Sequence, residues 1–178
     1  MEEAVIIGLV RAGATDVFSE IVEHYQTPIF RYVFRLTRDY ELSKDILQDT
    51  FIQAYKGIIK TDSELSLKAW LYRIATNNVF KFSRRRKIIS FIPLYKSDKS
   101  DIIPISEDPI ISVSQNMAIE QTLLSVPREQ RICLILHFVE GFKYEEIGEI
   151  LGISEDAVRM RVTRGKQIFQ RLYKRGDT

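Results

Sequence analysis

Two stretches of this chain hold cations in a pattern suited to a polyanion. Residues 157–175 carry seven basic side chains (Arg159, Arg161, Arg164, Lys166, Arg171, Lys174, Arg175) and no acid. Residues 68–87 carry seven more (Lys68, Arg73, Lys81, Arg84, Arg85, Arg86, Lys87), again with no acid. In the latter the cations are interleaved with Trp70, Tyr72, Phe80 and Phe82 and with the paired amides Asn77 and Asn78. Cations neutralise phosphates, and aromatic faces stack on unpaired bases. Either run alone could be a solvated helix face, or the charged end of a helix whose aromatics are core. Two acid-free runs in one small chain favour a polyanionic partner. The net charge of +2 conceals them, because acids collect elsewhere. Residues 39–49 hold four acids against Lys44, and residues 97–115 hold Asp98, Asp101, Glu107 and Asp108 against Lys99.

The more specific pattern lies in residues 144–172. A short helix, Tyr-Glu-Glu-Ile-Gly-Glu-Ile-Leu, precedes the three-residue turn Gly152-Ile153-Ser154 and then a longer basic helix. Ile147, Ile150, Leu151 and Ile153 are spaced to pack on Val158, Val162 and Phe169. This is a helix-turn-helix arrangement, whose second helix enters the major groove of DNA. In that helix Ala157, Val158, Val162, Gly165, Phe169 and Leu172 fall on the core side. Asp156, Arg159, Met160, Thr163, Arg164 and Gln167 face outward, where Arg can fork onto a guanine edge or a phosphate. The competing explanation is an ordinary three-helix bundle with a basic solvent face.

The elements that must carry these residues are helical almost throughout. Val17, Phe18, Ile21, Val22 and Tyr25 have helical spacing; Pro28 interrupts it, and Ile29, Tyr32, Val33 and Leu36 resume it, as two helices or one kinked helix. Ser43 could begin the next helix, with Leu42, Ile46, Leu47, Thr50, Phe51, Ala54 and Tyr55 on one face. Residues 60–66 are polar and read as a loop. Ala69, Trp70, Ile74, Ala75, Val79 and Phe82 predict a helix running into the cationic cluster. Residues 88–115 contain Pro93, Pro104 and Pro109 and no helical period, which reads as a linker. Its scattered isoleucines (Ile102, Ile103, Ile105, Ile110, Ile111) suit a segment lying on a surface. Beyond it, 118–124 reads as a short helix. Another, near Pro127, carries Ile132, Ile135, Phe138 and Val139 and ends at Gly141. Ser154 is the expected N-cap of the last helix, which runs to about Tyr173. The expected architecture is all-α, with two small helical domains joined by an extended linker.

Composition narrows the function classes. A chain of 178 residues with 45% hydrophobic and 28% charged residues can bury a core. One cysteine excludes an internal disulfide and any multi-cysteine metal site, and two histidines, His24 and His137, are too few for most metalloenzyme centres. The apolar run at residues 4–10 follows Glu2 and Glu3 and is too short for a signal peptide or a span, so a cytoplasmic protein is expected. Gly165-Lys166 is followed by Gln167 and lacks the upstream glycine of a phosphate-binding loop. Cys133 lies among Ile132, Leu134 and Ile135, as a buried, inert thiol would. No enzymatic activity, metal, cofactor or small-molecule substrate is expected.

These residues resemble, in order and over nearly the whole chain, bacterial RNA polymerase sigma factors of the extracytoplasmic-function group within the sigma-70 family. Phe18–Leu36 resembles the opening of the sigma-2 domain. Leu42–Tyr55 (LSKDILQDTFIQAY) resembles the helix that binds the β′ clamp of RNA polymerase. Lys68–Arg86 (KAWLYRIATNNVFKFSRRR) resembles the segment that melts and reads the −10 element, and Gly141–Arg164 (GFKYEEIGEILGISEDAVRMRVTR) the helix-turn-helix that reads the −35 element.

The resemblance implies a sigma-2 domain at 1–88, a linker at 89–115 and a sigma-4 domain at 116–178. It implies −35 contacts from Ser154, Asp156, Arg159, Met160, Thr163, Arg164 and Lys166. It implies −10 contacts from Lys60, Asp62, Ser63, Lys68, Asn77, Lys81, Arg84 and Arg85, with a flipped base captured near residues 60–67. Polymerase contacts are implied at Asp45, Gln48, Asp49 and Phe51. Partners would be core RNA polymerase (β′ clamp helices and β flap), promoter DNA and an anti-sigma factor, either soluble or membrane-anchored. The linker acids would thread the RNA exit path. The chain departs from the family pattern at Lys81, often Asp; at His137, commonly Arg; at Asp156, often a small residue; and at Met160, often Ser. A conventional helix-turn-helix regulator, dimeric on a palindrome and independent of polymerase, is the reading of a different class. It leaves residues 39–51 and the Trp-Leu-Tyr run unexplained.

Overall fold

The computed structural model describes residues 7–10, 12, 15–58, 66–89 and 111–176. Lys60, Asp62 and Ser63, together with the linker acids Asp98, Asp101, Glu107 and Asp108, lie outside the described residues. Every regular element among those described is helical: α1 Thr15–Thr37, α2 Tyr40–Ile58, α3 Leu67–Ile89, α4 Ile111–Ser125, α5 Arg128–Leu134 continued by a π-helical turn Ile135–Val139, α6 Tyr144–Leu151 and α7 Glu155–Gly176. No helix among the described residues is long and apolar enough to cross a membrane. The chain divides into two compact units, residues 1–101 and 102–178.

In the first unit α1, α2 and α3 pack on one another. Pro28 does not break α1, which is a single helix through that position. Pro28 is exposed, so the backbone group it leaves without a helical partner faces solvent. Ser43 does not start α2. The cap is Asp39, whose Oδ1 accepts from the Leu42 N–H at 2.9 Å. Ser43 is buried instead, donating to the Asp39 carbonyl at 2.6 Å. Its hydroxyl oxygen lies 2.8 Å from Thr37 Oγ1, which pins the α1–α2 corner. Arg38 closes that corner in the left-handed region at φ 53°, a conformation an L side chain adopts at a cost of about 1 kcal/mol.

The core of the unit holds Ile21, Ile29, Tyr32, Val33, Ile46, Leu71, Tyr72 and Ala75. Each large apolar side chain there contributes roughly 1.5–3 kcal/mol over the exposed state. Its polar groups are paired. Thr76 donates to the Tyr72 carbonyl at 2.7 Å, so the Tyr32 hydroxyl, 2.8 Å away, donates to Thr76 Oγ1. Asn78 donates to Thr50 Oγ1 at 3.3 Å, and its Oδ1 accepts from Gln53 at 3.0 Å. These bonds set the register of α2 against α3, because an unpaired buried amide would cost about 1–3 kcal/mol.

In the second unit α7 packs on α4, α5 and α6. α4 starts at Ile111, inside the stretch read as linker, and just past Pro109. The helix carrying Ile132 ends in a π-helical turn, so Phe138 and Val139 point outward at 60% and 47% exposure while Ile132 and Ile135 are buried. The four residues lie on one helical segment, as their spacing predicts, and the wider turn changes which way its last residues face. Gly141 then takes φ 79°. His137 Nδ1 lies 2.9 Å from the Phe142 carbonyl; a carbonyl only accepts, so Nδ1 carries the proton and ties this turn down.

Candidate nucleic-acid interface

The turn between α6 and α7 is built from local backbone chemistry. Gly152 takes φ 66°, open to glycine at no steric cost. The Ile153 N–H then reaches the Gly148 carbonyl at 2.9 Å. A Cβ on Gly148 would stand 2.7 Å from the Ile153 carbonyl oxygen, so only glycine lets the turn close this tightly. Ser154 caps α7 as expected, its Oγ accepting from the Ala157 N–H at 3.2 Å. That hydroxyl is therefore engaged by the fold. Val158 and Val162 are buried beside Ile147 and Ile150, whereas Ala157, Phe169 and Leu172 are only half-buried.

Gly165 brings α7 against α5: a Cβ there would meet Gln130 Cβ at 3.0 Å. Arg161 is turned the same way and pairs with Glu129 at 2.9 Å. One of the seven cations of this helix thus ties helices together. Burial pushes the Cys133 thiol up to about 11 despite the neighbouring Arg161.

The opposite side of α7 is open. Asp156, Arg159, Met160, Thr163, Arg164, Lys166 and Gln167 are all exposed. At 100° per residue they span an arc of about 160°, wide enough to face both a groove floor and its flanking phosphates. Arg159 is not unaccompanied there. Its Nη2 lies 2.7 Å from Glu155 Oε1, and its Nη1 lies 3.9 Å from Asp156 Oδ1. The sequence reading passed over Glu155, although the acid-to-arginine spacing of four residues was visible.

On α3 the structure separates residues that were grouped by composition. Arg73, Asn77, Lys81 and Arg84 are exposed and recur at steps of three or four, one stripe along the helix, with half-buried Trp70 at its start. Arg73 belongs to this stripe and had not been singled out. Asn77 is on it, whereas Asn78 is inside the core. Lys68 lies off the stripe, its Nζ 5.9 Å from the Tyr72 ring centre. Tyr72 is fully buried and cannot stack on a base; it packs on Tyr32 with ring centres 5.0 Å apart. Arg85 lies in α3 but its side chain is outside the description.

On α2, Asp45, Gln48, Ile52 and Tyr55 are exposed and share a face, with Asp49 half-buried beside them. An open groove runs between this face and α1, lined by Val22, Leu47 and Phe51 and by the polar side chains of Glu41, Lys44, Asp45, Gln48 and Lys56. Phe51 lines this groove but is buried, whereas Ile52 and Tyr55, which line it too, are exposed.

The fold and the exposed recognition helix define a helix-turn-helix DNA-binding protein with a second helical unit. Residues 21–88 match the family model for sigma-70 region 2, and residues 116–168 match that for sigma-70 region 4. The ECF RNA polymerase sigma factor SigW of Bacillus subtilis (strain 168) is 29% identical over 91% of this chain and 91% of its own. Among solved structures, the sigma factor RpoE from Bartonella quintana, in complex with the anti-sigma factor NepR, superposes with a TM-score of 0.74 at 22% identity, covering 88% of this chain and 96% of that one. CnrH, in complex with the cytosolic domain of CnrY, gives 0.71 at 18% identity over 97% of both chains. The chain belongs to the sigma-70 family, in its extracytoplasmic-function group, and is therefore a transcription initiation factor that works with RNA polymerase.

Proposed function

We propose that this sigma factor divides promoter recognition between its two units. Residues 1–88 form a domain that docks on polymerase and opens the −10 element. Residues 89–115 link it to a domain at 116–178 that anchors on the −35 element. The observation that carries this reading is that each unit exposes its own cationic helix face. Arg73, Asn77, Lys81 and Arg84 line α3, and Arg159, Arg164 and Lys166 line α7. Lys60, Asp62 and Ser63, which precede α3 in the sequence, are assigned to the −10 element as well.

The groove rimmed by Asp45 and Gln48 on α2 suits a partner helix with cations around an apolar centre, and we assign it to the β′ clamp helices of core polymerase. The β flap is the corresponding partner of the second unit. An anti-sigma factor that covers one or both faces, soluble or membrane-anchored, would hold the protein inactive in the cytoplasm. That proposal draws on relatives solved with an anti-sigma factor and with a cytosolic partner domain.

The test is reconstituted transcription: purified protein and bacterial core polymerase on a library of promoter fragments. Protein-dependent initiation from a distinct promoter set, with both elements recoverable by alignment, is expected. Tight binding of specific duplexes by the protein alone, without stimulation of polymerase, would replace this reading with that of an operator-binding regulator.

A further inference from the structure

Arg159 stands on the DNA-facing side of α7, yet its guanidinium is already hydrogen-bonded, to Glu155 at 2.7 Å. Both residues are about half exposed, so burial does not force them together. Nor does the pair add much stability: exposed pairs one helical turn apart contribute little to a fold. Its geometry is more telling. Helical side chains lean toward the N-terminus, so Arg159 lies back over the first turn of α7. In a helix-turn-helix that turn is the part that reaches base edges.

An acid at this position is unfavourable for DNA binding taken by itself, because it faces a polyanion. Two acids, Glu155 and Asp156, stand there. Asp156 is held only loosely, 3.9 Å from Arg159, and its side chain is 89% exposed. Glu155 is engaged at close hydrogen-bond distance. Among the described residues no acid pairs with Arg164 or Lys166, farther along the same face. The guanidinium carries five N–H donors, and Glu155 takes one on Nη2. Nη1 keeps both of its donors, and Nη2 keeps one, so two parallel donors remain for the O6 and N7 acceptors of a guanine.

We propose that Glu155 is a positioning residue for promoter reading: it holds the Arg159 guanidinium over the first turn of α7, where it meets a base edge instead of the neighbouring phosphates. This rests on the assignment of α7 to the −35 element. Without the carboxylate, Arg159 swings to the backbone, which attracts it equally at every sequence. The variant then trades discrimination for non-specific affinity. Ordering one long side chain in advance is worth about three- to tenfold in binding. One added phosphate contact steepens the salt dependence by about 0.9 in the log–log slope.

The experiment uses the full chain, assembled with bacterial core polymerase, on a promoter it initiates from and on single-base variants across the −35 element. Wild type, Glu155→Ala, Glu155→Gln, Arg159→Ala and the double variant Glu155→Ala/Arg159→Ala are compared. Expected is a three- to tenfold loss of discrimination at one base position in Glu155→Ala, with a steeper salt slope. Glu155→Gln, whose amide oxygen still accepts from the guanidinium, should recover part of the discrimination. In the Arg159→Ala background the effect of Glu155→Ala on discrimination should vanish. A uniform gain in initiation at all variants, persisting without Arg159, would overturn the proposal and leave Glu155 as a source of repulsion only. Discrimination unchanged in Glu155→Ala but lost in Arg159→Ala would overturn it too. If Arg159→Ala leaves every −35 variant as in wild type, the assignment of α7 itself fails, which is a separate result.

Discussion

Replacing Gly148 by alanine adds one methyl group where two effects oppose each other. Gly148 lies inside α6, and alanine there relieves the backbone entropy of glycine, worth about 1 kcal/mol in a helix. The new Cβ, however, would stand 2.7 Å from the Ile153 carbonyl oxygen, with the Glu155 nitrogen at 3.6 Å and Ser154 carbonyl carbon at 3.7 Å. These are backbone atoms of the turn, so no side chain can rotate away. Restoring contact distance requires the turn to move by roughly half an ångström, and overpacking of this kind costs about 1–3 kcal/mol. The same movement stretches the Ile153 N–H bond to the Gly148 carbonyl, now 2.9 Å, at up to about 1 kcal/mol more. The sum is a net destabilisation of up to about 3 kcal/mol. For a unit of this size that lowers its melting midpoint by about 4–8 °C per kcal/mol. The displaced start of α7 should also reduce −35-dependent initiation several-fold, while affinity for core polymerase through the first unit is kept. Thermal melting followed by circular dichroism, with transcription on one promoter, reads both. A midpoint raised by some 4 °C, as an unhindered helical glycine would give, refutes the steric argument.

Three further outcomes follow from the same geometry. Asn78→Ala should destabilise the first unit by about 1–3 kcal/mol, since it removes both bonds that tie α3 to Thr50 and Gln53 of α2 and empties a buried site. Asn77→Ala, one residue away and exposed, should leave the melt unchanged and impair promoter opening; equal effects of the two on stability would contradict the assignment. Asp45→Lys, at the exposed rim of the α2 groove, should weaken assembly with core polymerase in a salt-dependent manner without altering the melt. Unchanged affinity removes Asp45 from that interface. Cys133 should resist thiol reagents at neutral pH in the folded chain. Its thiol, raised from 9.0 to about 11 by burial, stays protonated where the unfolded thiol ionises. The stability it contributes is therefore complete below pH 9 and is lost between pH 9 and about 11, which a pH series of melts tests against a Cys133→Ala control.

What the sequence determined by itself is what lies within one or two turns of chain. Ser154 as a cap, Gly152 as the end of α6 and the acid-free run of α7 are all set by neighbours three or four residues away. The same locality makes the helix-turn-helix and the family legible before any tertiary contact is known. Only the tertiary structure decided which of two adjacent residues faces in. Asn77 and Asn78, and Trp70 and Leu71, are each one step of about 100° apart, and a helix with apolar residues on several sides has no single inward face. The packing of α2 on α3 resolved these pairs. Packing within each unit also set the limits of composition: Arg161, Lys68 and Tyr72 belong to the right segments but lie against Glu129, the Tyr72 ring and Tyr32. A π-helical turn likewise turned Phe138 and Val139 outward. Charge counts along a chain report how many cations a segment has. Which of them can reach a phosphate depends on the partners that helices from distant parts of the chain bring to them.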